Sequence, residues 1–439
     1  MRFVVLFFSF FCSFIFSQHS AEVALSTSNP LVPVYVSEIG SDEYGKQLLQ
    51  VFLYDLSHNA RTKIAHRTDV KETRLRSKEL TEQFNKYYWQ QEGIKYVVKV
   101  RYSNNVFSAH VFNGTIGIAK EFSTKTLSHN LSRDRSDVHA VSDAIVGWLF
   151  SDKGIANSSI LFAKQLPIGD RFESEIWEVD YDGNNPRKLL DSVGYCVTPY
   201  SIPHSDSYLF VSYKQGVPKI FIGYKKRKEY KPLINLRGNQ LLPAISANRR
   251  KLAFICDASG RADLFLQVFD EKKGCIGKPI QAYSFPSSVQ ASPTLSPDGS
   301  RVAFVSDKSG TPRVYMIEAP RYSRGNKLPE AVLLSKECRE NTSPCWSPDG
   351  KKIAYSARIE GIRQIVIFDL VLGEEWQVTS GPLHKENPSW APNSLHLVYN
   401  TVDGEKSDLF MIDIQEKMPT KITSGPGKKH FPSWGSSQP

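Results

Sequence analysis

A unit written twice between Ser292 and Leu370 constrains this chain more than any other feature. The first copy reads Ser-Pro-Thr-Leu-Ser-Pro-Asp-Gly (292–299), then Arg-Val-Ala-Phe-Val-Ser (301–306), then Arg-Val-Tyr-Met-Ile (313–317). The second reads Ser-Pro-Cys-Trp-Ser-Pro-Asp-Gly (343–350), then Lys-Ile-Ala-Tyr-Ser (352–356), then Gln-Ile-Val-Ile-Phe (364–368). Asp-Gly between apolar runs signals a hairpin turn, because glycine enters the left-handed region without a steric penalty. Each unit is therefore strand, turn, strand, turn, strand. Repetition near 50 residues means a solenoid, a propeller or an array.

The same frame extends along the chain. An aromatic residue recurs in the second strand as Phe162, Phe210, Phe254, Phe304, Tyr355 and Tyr399, at gaps of 44 to 51 residues. An aliphatic residue of the third strand follows each one: Ile176, Ile220, Leu264, Val314, Ile365 and Leu409. A proline in the first strand recurs at Pro199, Pro243, Pro293, Pro344, Pro388 and Pro432. Phe162 has no such proline before it, and Pro432 has no aromatic strand after it. The first copy thus lacks a first strand, and the last copy is only a first strand. An unpaired sheet edge is a liability that closed structures remove. The pattern predicts a closed, all-β six-bladed β-propeller over 156–439, four strands per blade, in which 431–435 pairs with the strand around Phe162.

The beginning of the chain reads differently. Met1-Arg2 precedes an apolar run, Phe3–Phe16, too short for a membrane span of roughly 20 residues and suited to a secretory signal. Residues 1–21 are read as that signal peptide, and no later stretch is a candidate integral membrane segment. Residues 22–155 lack the repeat and predict a small α/β domain. Its helices are expected over Asp42–Leu56, Lys78–Gln91 and Ser136–Phe150. Its strands are expected at Val32–Val36, Ile94–Tyr102, Val106–Phe112 and Thr115–Phe122, the last three an antiparallel meander.

The formal charge of +10 is scattered over runs such as Lys225–Lys228, Arg249–Lys251 and Lys428-Lys429. It shows no stripe or stacking platform for nucleic acid, and an exported chain points away from such a partner. Five cysteines follow the signal, an odd number with no Cys-x-x-Cys pair. A Cys338–Cys345 bridge is one arrangement compatible with the spacing; Cys256 fits a small buried position of the repeat.

Signal, α/β domain and six blades carrying Ser-Pro-Asp-Gly units together resemble the TolB family, the periplasmic component of the Tol–Pal system. The junction Asp137-Val138-His139-Ala140-Val141-Ser142-Asp143-Ala144, followed by Gly154-Ile155-Ala156 and Ile160, is the more specific part of the likeness. Three of the copies lack the Asp-Gly pair, and one has Asn393-Ser394 instead. The resemblance implies a periplasmic adaptor without cofactor. It implies that the lipoprotein Pal docks at the propeller mouth and that TolA is engaged through the N-terminal region, whose Glu22–Asn29 matches the family's contact segment in position. Carried over by place in the repeat frame, the expected Pal contacts are Gln290, Ser292, Asn341, Thr342, His384, Lys385, Glu386, Lys429 and His430. They fall in loops just before first strands.

Propellers also occur in hydrolases, so an enzyme acting on envelope carbohydrate or peptide is the competing reading. The chain has no Gly-x-Ser-x-Gly elbow and no His-Glu-x-x-His spacing. Asp298 and Asp349 could serve as paired carboxylates, or simply as turn residues repeated by architecture.

Overall fold

Three runs of alternating apolar residues build the first sheet of the computed structural model, which describes residues 30–76, 85–169, 171–190, 194–320, 329–404 and 406–436. Strands β3 (Tyr96–Ser103), β4 (Val106–Asn113) and β5 (Ile118–Ser123) form the expected antiparallel meander. Asn104 and Asn105 turn between β3 and β4, both with positive φ. The sheet is mixed, however. Strand β1 (Val32–Glu38) runs parallel to both β3 and β2 (Thr62–Ile64), giving the order β2-β1-β3-β4-β5. Parallel neighbours need crossover connections, which leave no local turn signal in the sequence.

Helix α1 (Glu43–Ser57) is capped by Asp42, whose carboxylate accepts the Gly45 N–H at 2.8 Å. It packs with α4 (Leu131–Phe150) on the sheet through Leu48, Phe52, Val138 and Ile145. Between them lie α2 (Asp69–Arg76), not foreseen, and α3 (Lys86–Gln91). Of the helix expected over 78–91, only Lys86–Gln91 is seen; 78–84 lie outside the described residues. Trp89 turns inward onto Tyr35, whereas Tyr87 is exposed. Helix α4 starts earlier than expected because Asn130 caps it. Its polar first turn carries no apolar periodicity to betray a helix.

From Leu31 onward the chain forms one unit, and its larger part is a ring of six four-stranded sheets. The aromatic column is fully buried in every blade, as is the aliphatic column of the third strands. Strand Lys428–Trp434 runs antiparallel to Ser159–Ile168, with Ser433 opposite Leu161. Blade 1 is thereby built from both ends of the ring. Ser433 Oγ also accepts the Ser201 N–H of blade 2 at 2.9 Å, and the Trp434 indole donates to Ser158 Oγ at 2.8 Å. The expected signal, 1–21, and the segment Glu22–Asn29 lie outside the described residues. Among those described, no helix is long and apolar enough to cross a membrane, and no two cysteines are bridged, so Cys338 and Cys345 stand apart.

Candidate docking face and domain junction

The first strands neighbour one another around the ring, so they line its central channel. Each bends at the same place. Thr198, Leu242, Ser292, Ser343, Asn387 and Phe431 all have φ between 44° and 54°, and each precedes the repeat proline. The pairing with the second strand slips at each of these sites. A bulge with a left-handed non-glycine residue costs of order 1–2 kcal/mol. Recurring in all six blades, it is part of the architecture, and it re-aims the residues on either side.

Its effect is visible two residues before each bulge. Cys196, Gln240, Gln290, Asn341, Lys385 and Lys429 occupy one column, and all are buried. Their side chains do not face out of the mouth. Lys429 Nζ donates to the Gly425 carbonyl at 2.5 Å and pairs with Asp408 at 2.9 Å. Lys385 Nζ donates to the carbonyls of Ser380 (2.6 Å) and Gly381 (3.0 Å), and burial lowers its pKa. The Gln240 amide bonds the Leu236 carbonyl at 2.8 Å, and the Gln290 amide the Ser288 hydroxyl at 3.1 Å. Gln240, Gln290, Lys385 and Lys429 thereby staple the loop arriving from the preceding blade. Four of the nine expected contacts, Gln290, Asn341, Lys385 and Lys429, lie in this buried column behind the mouth loops. The Asn341 amide is buried with neither polar atom bonded among the described residues.

The other five are half-buried at the mouth. Arg363, which the sequence did not single out, gathers several of them. Its backbone N–H donates to His384 Nδ1 at 3.0 Å, its guanidinium reaches Thr342 Oγ1 at 3.3 Å, and its Nε lies 3.3 Å from Glu386. Arg358 pairs with Glu340 nearby at 2.7 Å. His430 Nδ1 sits 3.3 Å from Ser407 Oγ, and burial lowers its pKa. Ser292 takes the bulge position itself. Across the ring the same face is different in kind. Tyr195, Tyr213, Val217, Phe285 and Val289 are exposed in the loops of blades 2 to 4, with Tyr195 and Tyr213 packed edge to face at 5.8 Å. The mouth thus has a charged cluster on one side and exposed apolar residues set among polar loops on the other. Isolated apolar residues in polar loops gave no periodic signal by which to find the second.

The Asp-Gly turns lie at the far ends of the same strands. Asp298 accepts from Ser296 Oγ (2.6 Å) and the Ser300 N–H (3.0 Å), and these bonds bring its pKa down to about 2. Asp349 accepts from Ser347 Oγ (2.5 Å) and the Lys351 N–H (3.0 Å). Both carboxylates hold turns in which Gly299 and Gly350 have positive φ.

The second site is the junction between the α/β part and the ring. Asp55 of α1 is buried and accepts from three groups: His139 Nδ1 (2.9 Å) and Ser142 Oγ (2.6 Å) of α4, and the Tyr181 hydroxyl of blade 1 (2.6 Å). On the other side of the imidazole, His139 Nε2 is 3.5 Å from Asp182, which also pairs with Arg135. Burial alone would lower the His139 pKa, but the Asp55 charge and the bonds to Asp182 and Asp55 outweigh it and raise it to about 10. Its cationic partner in turn holds Asp182 well below the usual carboxylate range against desolvation. Beside this network, Asp143 accepts the Ala156 (2.8 Å) and Asn157 (3.0 Å) N–H groups. Desolvation nevertheless raises its pKa to about 6. A Cβ at Gly154 would lie 2.0 Å from the Asp143 carboxylate, so only glycine fits there. A polar cleft of about 660 Å³ opens alongside, lined by Ser136, His139, Asn157, Asp180 and Arg187 among others.

A six-bladed propeller locked through a buried ionic cluster to an N-terminal α/β domain is the class of protein that this geometry defines. Comparison narrows it. Residues 148–438 match the family model described as the TolB beta propeller domain. The chain is 40% identical to the protein named "Protein TolB homolog" of Protochlamydia amoebophila, over 83% of this chain and 81% of that one. It is 35% identical to a protein of the same name from Chlamydia felis, over 83% and 82%. It belongs to the TolB family. The crystal structure of TolB from Acinetobacter baumannii shares the fold at a TM-score of 0.74 and 20% identity, covering 93% of this chain and 98% of that one.

Proposed function

We propose that the chain is a non-catalytic adaptor of the Tol–Pal system, working in the periplasm. The propeller mouth takes the peptidoglycan-associated lipoprotein Pal, and the N-terminal region engages TolA. Coupling the two serves outer-membrane integrity and cell division. The observation that carries this reading is the construction of the mouth. Its loops are stapled from behind by buried side chains, and it pairs exposed aromatic and aliphatic residues with a charged cluster on the opposite side. A preorganised surface with apolar anchors and a polar counterpart is what a specific protein partner needs.

The contacts assigned to Pal are Ser292, Thr342, His384, Glu386 and His430, joined by Arg363, while Gln290, Asn341, Lys385 and Lys429 act through loop shape. The test is capture of soluble Pal by the purified mature chain. Glu386→Arg should weaken capture tenfold or more while the thermal midpoint stays put, since Glu386 is partly exposed and lies outside the buried column. Capture unaffected by this change and by Tyr213→Ala together would contradict docking at the mouth.

A further inference from the structure

Four turns at the ends of the blades away from the mouth bring together charges that are far apart in sequence. They are 203–206 and 225–228 of blade 2, and 247–251 and 270–273 of blade 3. Hydrogen bonds and ion pairs tie them into one surface. Lys226 pairs with Asp206 at 2.7 Å, Ser205 bonds Glu271, and Arg249 bonds both Glu271 (2.5 Å) and the His204 carbonyl (3.3 Å). Together the turns hold nine Lys and Arg against three Asp and Glu, a net of +6 beside +10 for the whole chain. Charge that reads as scattered is in large part gathered here. Lys226, Arg227, Lys228, Arg250, Lys272 and Lys273 are exposed.

The patch has an apolar flank. Val268 and Ile276 are paired across the blade 3 hairpin whose tip carries Lys272 and Lys273, and both are exposed. The α/β domain meets this same face of the ring at the corresponding turn of blade 1, through Tyr181, Asp182 and Asn185, so it stands beside the patch; among the described residues its hydrogen bonds and ion pairs to the ring do not involve these four turns.

We propose that this patch seats the protein on an anionic bilayer surface, with the lysine and arginine heads at the phosphates and Val268 and Ile276 at the interface. Exposed turn tips bearing long, flexible cations suit a fluid sheet of negative headgroups, and an apolar pair one step behind the tip is what shallow interfacial seating uses. In this arrangement the mouth, at the other ends of the same strands, faces away from the bilayer.

The experiment is co-sedimentation of the full mature chain with vesicles of phosphatidylcholine alone or with about 30% phosphatidylglycerol, at ionic strengths from about 0.05 to about 0.5 M. The expected result is binding to the anionic vesicles only, at least tenfold weaker in high salt. The triple variant Arg250→Gln, Lys272→Gln, Lys273→Gln should lose it at an unchanged thermal midpoint, and Val268→Ser with Ile276→Ser should weaken it less. Equal binding to neutral vesicles, or full binding by the triple variant, would overturn the proposal. So would binding to soluble polyglutamate with none to vesicles, which would assign the patch to an acidic protein.

Discussion

The domain junction and the propeller mouth both bury charged side chains, but they satisfy them differently. At the junction, charges face charges: the His139 imidazolium lies between Asp55 and Asp182, and Arg135 completes the set. At the mouth, Lys385 faces backbone carbonyls, and Lys429 faces a carbonyl and one carboxylate that it shares with Lys421. Removing one partner from the first arrangement leaves an uncompensated buried charge. Removing a lysine from the second leaves carbonyls that can turn to water. The junction is therefore a lock on the relation of two domains, whereas the mouth is a set of separately braced loops.

The sharpest way to break that comparison is Asp55→Ala. It strips the acceptor from His139, Ser142 and Tyr181 together, and should destabilise the chain by about 3–5 kcal/mol in urea unfolding. Next comes pH. His139 has its folded pKa raised to about 10, so its contribution is complete below the free imidazole value of about 6.5 and is lost as pH climbs through 10. The thermal midpoint should fall across that interval, and His139→Asn should flatten the slope. Asp143 also titrates with a raised pKa, but between the ordinary carboxylate range and about 6, so a scan above pH 6.5 excludes it; buried thiols such as Cys275, whose pKa burial raises, add their own loss only above the free thiol value of about 8.5, so the slope below that pH reports the histidine. At the mouth, Lys429→Met should cost about 1–3 kcal/mol, with faster amide exchange confined to 424–428. Smallest of all, Arg358→Gln breaks a half-exposed pair with Glu340 and should cost under about 1 kcal/mol in the same unfolding assay.

The ring was legible because repetition multiplies weak signals. One buried Phe says little, but Phe162, Phe210, Phe254, Phe304, Tyr355 and Tyr399 in step with six prolines define blades. The α/β domain offered no such redundancy, and α2, the parallel strands and the start of α4 went unseen. The loops of the mouth were legible, but the direction of some side chains behind them was not. Lys385 and Lys429 look like surface charges because lysine usually is one. Only the left-handed bulge two residues later turns them inward, and Leu242, Ser292 or Phe431 in sequence give no hint of positive φ. Arg363 is hidden for another reason: its partners come from two blades. His139 and Asp143 stood out as a motif, yet Asp55, the partner of His139, lies on another helix, beyond any spacing rule.

Hydrogen–deuterium exchange of residues 22–439 with and without soluble Pal puts the docking claim most directly to the test. The account predicts added protection at 284–292, 336–343, 380–387 and 424–431, with the turns 247–251 and 270–273 unchanged. Protection confined to those turns, or none at saturating Pal, would contradict it.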